Sequence, residues 1–417
     1  MTALSRRRFL QLAAGVGAVS AVPAWRSAAA ARPIAPGARW MAGDFHVHTV
    51  LSHDVWSGPN DDNTGIEEFY TWGWTAGEQI LNAELRGLDF VAITDHDRVE
   101  ALRLPEYKSS KLVLVPGYEH SLSGGHAGIF MRSVSDLPTI LRKDNKGADG
   151  LARLISQVHE RHGMMVLNHP KGGALWTYPT PGSHAVDAVE VWNSQWLQRH
   201  DVFPISESNN HVSIDWWERE FLGRGVRRAA VGGSDNHWRS TFEAQGVGQP
   251  TTWVLAAART PAAIIEAVQA GRTAVSWQPP ALLGPQVTMT ATELYGDYRK
   301  TTIGGEVRPL GPVGVTVRVR NGLGHRLRLI STGQVIDTFL VGAPDLKHTT
   351  YVVLPERGWL RAELYQDPGY VMTAVTSAIF AAVEKAPPRT RGEATVGPPV
   401  GYGHDLTVPE VSVCCGH

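Results

Sequence analysis

The stretch FVAITDHD, residues 90–97, decides the fold class. Its first half is a short, continuous apolar run, typical of a strand that is buried on both faces in a parallel sheet. Its second half is polar and titratable, as expected where such a strand ends in a loop. Further strand candidates occur at residues 112–116, 164–167, 186–191 and 228–232.

Amphipathic helices are predicted between these strands. Leu151, Leu154, Ile155 and Val158 have helical spacing, and Asp149 precedes them in a position to cap the first turn. A second helix is predicted at residues 260–271, where Thr-Pro provides an N-cap and a first-turn proline. Alternating strands and helices over residues 40–280 predict an α/β fold with parallel strands.

The pattern changes at about residue 285. Val315, Val317 and Val319 alternate with polar residues, and Asn321-Gly322 with a strand at 326–330 predicts a hairpin. Further strands are predicted at residues 349–354, 359–366 and 371–380. Residues 285–385 are therefore predicted to form a small antiparallel β-sandwich, followed by a Pro/Gly-rich tail over 386–417.

Composition indicates a globular protein that acts on a small molecule. Hydrophobic residues make up 43% of the 417 residues, and charged residues 19%. A net charge of -1 and a pI near 7.0 provide no long-range attraction for nucleic acid or an anionic membrane. The two cysteines, Cys414 and Cys415, are adjacent, which excludes a disulfide scaffold and a cysteine-based zinc site.

The first 31 residues resemble a twin-arginine export signal. Residues 5–10 read SRRRFL, an apolar stretch extends to Val22, and residues 27–31, SAAAA, suit cleavage. The apolar stretch of about 14 residues is shorter than the roughly 20 that span a bilayer. We therefore expect a secreted or periplasmic protein, exported after folding and not inserted in the membrane once the signal is removed.

Histidines and acids follow the predicted strands. A first strand at 40–45 leads into His46 and His48, which lie on one face because alternate strand residues do. Later strand ends supply TDHD at 94–97, GYEH at 117–120, GH at 125–126, NHP at 168–170 and GSDNH at 233–237. The carboxyl ends of strands form the catalytic rim of β/α folds, so the joint pattern predicts a metal site there.

This order of motifs resembles that of the polymerase and histidinol phosphatase (PHP) family of metallohydrolases. The motifs are HxH, TDH, GxE, a single His, NHP and SDxH, within residues 40–276. The exported form with an additional sandwich resembles the carbaryl-hydrolase-like branch of that family. The resemblance implies a distorted (β/α)7 barrel with two or three divalent metal ions at the carboxyl ends of its strands.

The resemblance also implies three overlapping ligand groups. They are His46, His48, Glu119 and Asp235 for one ion, Glu119, His126 and His169 for a second, and His53, His96 and His237 for a third. Asp54 is the alternative to His53, because either of these adjacent residues can be aligned with the ligand position of the family pattern.

The residue types themselves favour the same chemistry. Imidazole and carboxylate ligands suit Zn²⁺, Mn²⁺ or Fe²⁺. A bridging carboxylate such as Glu119 can hold two ions within about 4 Å, and a hydroxide bound to them is a strong nucleophile at neutral pH. Asp95 is a candidate acceptor that orients the His96 ring from outside the ligand set, with a loop hydrogen bond or a helix cap as the alternative role.

Two cations near the rim, Lys171 and Arg239, are candidates for binding a substrate anion, with plain solvation as the alternative. The preferred hypothesis is hydrolysis of a small-molecule phosphoester, either a diester or a monoester. Two alternatives remain open. One is hydrolysis of a carbamate or carboxylic ester, which the branch resemblance supports, and the other is a non-catalytic metal- or carbohydrate-binding protein, which the sandwich suggests.

Overall fold

The computed structural model describes residues 34–55, 73–137, 147–172, 175–194, 210–237, 246–309, 311–366 and 371–382. All of them lie in one compact unit, Met1–Val383. The expected export signal and the Pro/Gly-rich tail lie outside the described residues, and a boundary between two folded domains near residues 280–285 stays a prediction. No helix in the described ranges is both long enough and apolar enough to cross a membrane.

The described part of the chain is mixed α/β. Its helices are α1 (Ala76–Leu85), α2 (Gly147–Glu160), α3 (Thr180–Ser183), α4 (Asn210–Glu220) and α5 (Pro261–Gln269). Its strands are β1 (Arg39–Asp44), β2 (Phe90–Val91), β3 (Val113–Leu114), β4 (Gly117–Leu122), β5 (Gly125–Phe130), β6 (Met164–Leu167), β7 (Ala188–Asn193), β8 (Ala229–Gly233), β9 (Thr251–Ala256), β10 (Thr273–Ser276), β11 (Gln286–Glu293), β12 (Lys300–Thr302), β13 (Glu306–Val307), β14 (Val313–Arg320), β15 (His325–Ser331), β16 (Gln334–Leu340), β17 (Asp345–Val352), β18 (Trp359–Gln366), β19 (Met372–Thr376) and β20 (Ile379–Ala381).

Local sequence explains where the helices begin. The side chain of Thr75 accepts a hydrogen bond from the Glu78 backbone, and the Glu78 carboxylate accepts one from the Thr75 backbone, which forms a capping box before α1. Thr260 is the N-cap of α5, and Pro261 is the first residue of the helix, as the sequence indicates. Helix α2 buries the apolar stripe that begins at Leu151.

The strands around the histidine-rich motifs do not close into a barrel within the described residues. β1 pairs in parallel with β2 on one edge and antiparallel with β9 on the other, so neither edge is free for β8. β4 to β8 form a separate five-stranded sheet. Isolated bridges, Val47 to Asn236 and His96 to Glu119, connect the two sheets at the rim. The strands are mixed α/β with no closed barrel among the described residues, so the (β/α)7 arrangement stays a prediction.

The C-terminal strands pack as two antiparallel layers. β12, β11, β14 and β17 form a four-stranded sheet, and its apolar face packs on β15, β18, β19 and β20 around a core that includes Val317, Leu329 and Leu364. The predicted hairpin between β14 and β15 is wrong. β14 pairs with β11 and β17, and β15 pairs with β16 and β18, so the Asn321-Gly322 turn carries the chain from one layer to the other.

Candidate metal centre

The ends of β1 and β8 lie side by side, and this pairing positions the first donors. The Asp235 backbone N–H donates to the His46 carbonyl at 2.8 Å, and the His48 N–H donates to the Asn236 carbonyl at 3.0 Å. The buried Asp44 carboxylate accepts from the backbone N–H groups of His46 and Ser234, which fixes both strand ends. Residues distant in sequence therefore share one rigid rim.

The first donor group is formed by His46, His48, Glu119 and Asp235. The two imidazole Nε2 atoms lie 3.1 Å apart. Asp235 Oδ1 lies 3.1 Å from each of them, and Glu119 Oε2 lies 3.0 Å from His46 Nε2 and 3.2 Å from His48 Nε2. Four donor atoms thus converge on one small volume.

Glu119 connects this group to a second one. Its Oε2 faces His46 and His48, whereas its Oε1 lies 3.1 Å from His169 Nε2 and 3.3 Å from His126 Nδ1. The carboxylate is completely buried, and the Asn168 side-chain amide donates to Oε1 at 2.9 Å. One carboxylate therefore serves two donor groups, the geometry of a bridging ligand.

The third group contains Asp54 at the position predicted for His53. Asp54 Oδ2 lies 3.1 Å from His96 Nε2 and 2.8 Å from His237 Nε2, and the group also includes His48. His53 is exposed, and its ring contacts His96 edge to face with centroids 4.8 Å apart. The structure thus favours the alternative alignment, with the carboxylate of Asp54 among the donors.

Acceptors outside the groups fix the tautomers of the rings. His46 Nδ1 lies 2.9 Å from Glu190 Oε1, and His237 Nδ1 lies 2.8 Å from the Asp235 carbonyl, so these Nδ1 atoms carry protons. The Ser52 hydroxyl donates to Asp54, so its lone pair faces His48 Nδ1 at 3.0 Å. Each of these rings consequently directs the lone pair of Nε2 inward.

The inward-facing atoms fit divalent cations. With these tautomers, imidazole lone pairs face carboxylate oxygens at about 3 Å, an acceptor-to-acceptor arrangement that a cation stabilises. Asp235 Oδ1 is buried and makes no hydrogen bond, although it lies within 3.1 Å of two nitrogens. The donor atoms lie within 4.8 Å of one another in the first group, in the third group, and in a set formed by His96, Glu119 and His126. Nitrogen and oxygen donors of this kind suit borderline or hard divalent ions.

The charges of the cluster shift its pKa values in opposite directions. Burial opposes protonation of His46, but Asp235, Glu119 and Glu190 outweigh it and raise the pKa of His46 well above its usual value. Burial likewise opposes ionisation of Glu119, but His46, His126 and His169 hold its pKa well below the usual range. The carboxylates are thus ionised and require positive charge beside them, which is supplied by a proton on an imidazole or by a divalent cation that replaces that proton.

The backbone is strained at two of the donors. His169 has φ of 26° and Asp235 has φ of 52°, in the left-handed region that residues with a side chain rarely adopt. Such conformations persist where the surrounding structure enforces them, and they concentrate at functional sites. Here both occur at donors that immediately follow buried strands.

Two residues outside the donor groups differ from expectation. Asp95 does not orient His96; its carboxylate accepts from the backbone and hydroxyl of Thr49 at 2.6 and 2.7 Å, the loop hydrogen bond that was the alternative role. Glu190, which the sequence analysis missed, accepts from His46. The signal that could have found it is a carboxylate within the otherwise apolar residues 188–191.

The substrate-binding candidates remain predictions. The Lys171 ammonium lies 4.7 Å from the centre of the Trp216 ring, a cation–π contact on helix α4. Burial, with the Arg219 charge, lowers the pKa of Lys171. Arg239 lies outside the described residues. The position of Lys171, two residues after His169, keeps it close in sequence to the donors.

Fold and site together define an α/β chain with a cluster of metal-binding side chains at its strand ends. No protein-family model and no curated protein matches the chain. Among solved structures, a two-domain protein from Bacteroides vulgatus ATCC 8482, described as containing a predicted PHP-like metal-dependent phosphoesterase, matches with a TM-score of 0.40 and 18% identity over 83% of this chain and 97% of that one.

Two further solved structures are similar in part. PsfC from Pseudomonas syringae PB-5123 matches with a TM-score of 0.40 and 18% identity, over 58% of this chain and 93% of that one. An amidohydrolase from Chromobacterium violaceum matches with a TM-score of 0.30 and 15% identity, over 42% and 86%. The assignment of the metal centre rests on the geometry of this chain's own residues.

Proposed function

We propose that this chain is a metal-dependent hydrolase that cleaves a phosphoester of a small molecule outside the cytoplasm. One observation carries the proposal. Asp235 Oδ1 is buried, makes no hydrogen bond, and lies 3.1 Å from the Nε2 atoms of both His46 and His48. A carboxylate oxygen and two imidazole lone pairs that converge in this way form a ligand set for a divalent cation.

The residues of such a site have distinct roles. Divalent ions, when bound, would supply an activated water and polarise the electrophilic oxygen of the substrate. Glu119 is placed to hold two donor groups at a fixed separation, one with each carboxylate oxygen. Glu190, Ser52 and the Asp235 carbonyl hold the imidazole rings, so the donors are in position before any ion binds.

A phosphoester is favoured over other substrates because several adjacent ions suit phosphoryl transfer, in which negative charge is spread over several oxygens. The motif resemblance to the PHP family supports the same choice. Hydrolysis of a carbamate or carboxylic ester is the alternative that the branch resemblance supports. A non-catalytic metal- or carbohydrate-binding protein is the second alternative, which the C-terminal sandwich suggests.

The test combines metal analysis with a substrate panel. Elemental analysis of the purified protein is followed by assays on bis(p-nitrophenyl) phosphate, p-nitrophenyl phosphate and 1-naphthyl N-methylcarbamate. We expect bound divalent metal, phosphoesterase activity that is lost on chelation and restored by metal, and near-complete loss in His169→Ala but not in His211→Ala, whose imidazole is exposed on α4. Activity on the carbamate alone overturns the substrate proposal. Full activity without metal, or in His169→Ala, overturns the metal-dependent hydrolase.

A further inference from the structure

Glu190 lies on β7 with both carboxylate oxygens directed at the metal centre, although it belongs to none of the donor groups. Its side chain is only 2% exposed. Oε1 lies 2.9 Å from His46 Nδ1, and Oε2 accepts from the backbone N–H of His169 at 2.7 Å. The Asn193 side-chain amide donates to Oε2 as well, at 3.1 Å.

We propose that Glu190 is the positioning residue that sets the geometry of both donor groups sharing Glu119. Through Oε1 it holds the His46 ring with its proton on Nδ1, so the Nε2 lone pair faces the first group. Through Oε2 it holds the main chain of His169, a donor of the second group, in its left-handed conformation at φ 26°. One carboxylate thus fixes a ring on one sheet and a backbone on the other.

A relay through Asn193 extends the same control to Asp235. The Asn193 amide donates to Glu190 Oε2 and also lies 3.2 Å from Asp235 Oδ2. That contact occupies Oδ2 and leaves Oδ1 directed at the two imidazoles. The backbone N–H of Asn193 in turn donates to Asn210 Oδ1, which anchors the relay on α4. Three donors on three chain segments are therefore held from one buried side chain.

The chemistry requires a carboxylate in this position. Glu190 accepts with both oxygens from N–H groups on opposite sides. A glutamine offers one acceptor oxygen and one NH₂ donor, so its NH₂ would meet the Nδ1–H of His46 or the N–H of His169. Either orientation places donor against donor. The His46 ring would then have to change tautomer or rotate, or the His169 backbone would have to move.

The inference rests on the proposed metal centre, and its test measures metal binding rather than activity. Zn²⁺ and Mn²⁺ affinities and stoichiometries of wild type, Glu190→Gln and Glu190→Asp are measured by equilibrium dialysis with elemental analysis, with circular dichroism as the check on folding. The control is Glu293→Gln, which removes a buried carboxylate bonded to Arg308 in the sandwich. Loss of a residue that orients a ligand typically weakens metal binding 10- to 100-fold.

We expect that weakening in Glu190→Gln, a smaller one in Glu190→Asp, whose shorter side chain withdraws from His46, and wild-type affinity in Glu293→Gln. Wild-type affinity and stoichiometry in Glu190→Gln would overturn the inference. If Glu190→Gln does not fold, Glu190→Asp decides, and wild-type metal affinity in that variant overturns it equally. A wild-type protein that binds no metal refutes the proposed function itself, so the two failures are distinguishable.

Discussion

Gly233 lies so close to His46 that a Cβ at position 233 would be 2.3 Å from the Cβ of His46. The same atom would be 2.4 Å from Glu190 Oε1. The last residue of β8 therefore has no side chain because the His46 ring and its carboxylate partner occupy that space. We expect Gly233→Ala to displace His46 from Glu190 and to lower metal affinity at least tenfold, at a cost of about 1–3 kcal/mol in stability.

Isothermal titration of the metal-depleted protein with Zn²⁺ measures this effect. The matched control is Gly182→Ala, because a Cβ there meets nothing within 4 Å and its backbone is not left-handed. Wild-type affinity in Gly233→Ala would show that the close packing of Gly233 on His46 does not affect the donors.

The adjacent residues His53 and Asp54 allow a paired test of the third donor group. Asp54 Oδ2 contacts His96 and His237, whereas His53 is exposed beside His96. We expect Asp54→Asn to lower the number of bound ions, or to lower the affinity for one of them at least tenfold, because an amide oxygen is a poorer ligand than a carboxylate. His53→Asn should keep the wild-type number. Elemental analysis after dialysis distinguishes the two, and the reverse order would restore His53 as the ligand.

An ion pair remote from the metal donors predicts a pH dependence of stability. Burial opposes protonation of His159, but its hydrogen bond to Asp187 at 2.9 Å, together with the Asp187 charge, raises the pKa of His159 above 6.5. A raised pKa in the folded state contributes stability that is complete below the unfolded value and is lost as pH rises through the folded value. We expect His159→Asn to lower the free energy of unfolding more at pH 6 than at pH 8.5.

Urea denaturation at the two pH values, with excess metal present, provides the measurement. The difference between wild type and variant should be about 1 kcal/mol at pH 6 and smaller at pH 8.5. His211→Asn, which removes an exposed imidazole, controls for the general loss of a titratable ring. An equal difference at both pH values would contradict the ion-pair explanation.

The expected N-terminal export signal can be tested by substitution of its arginines. We expect Arg6→Lys with Arg7→Lys to retain the folded protein in the cytoplasm of a bacterial host, because the twin-arginine route recognises the arginine pair. Immunoblots of cytoplasmic and extracytoplasmic fractions measure the distribution, and Arg8→Lys is the control with an unchanged charge. Unaffected export of the double variant would exclude the twin-arginine route.

Much of the local structure follows from sequence alone. Strand β6 has the bounds that the apolar run predicts, and Thr260 caps α5 because short-range hydrogen bonds decide helix ends. The prediction of a hairpin after β14 was wrong, because the Asn321-Gly322 turn is compatible both with a hairpin and with a connection between the two layers. Which of the two forms depends on the partners of β14, and these lie far away in sequence.

The metal centre was likewise predictable where the pattern is local in sequence, and not where it depends on contacts between distant residues. Regular spacing at strand ends identified the histidines, since each motif is local. The choice between His53 and Asp54 depends on which side chain reaches His237, a contact across 183 positions of sequence. The role of Glu190 was not predicted because it depends on contacts with His46 and His169, which no local sequence pattern indicates.

The long-range contact between Asp54 and His237 also has a consequence for the order of events during biosynthesis. A growing chain cannot complete the third donor group until residue 237 has left the ribosome, and closing so large a loop is slow. Completion of the third donor group therefore requires the chain from Asp54 to His237 to have folded. For a chain that we expect to leave the cytoplasm already folded, the metal would then be bound before transport.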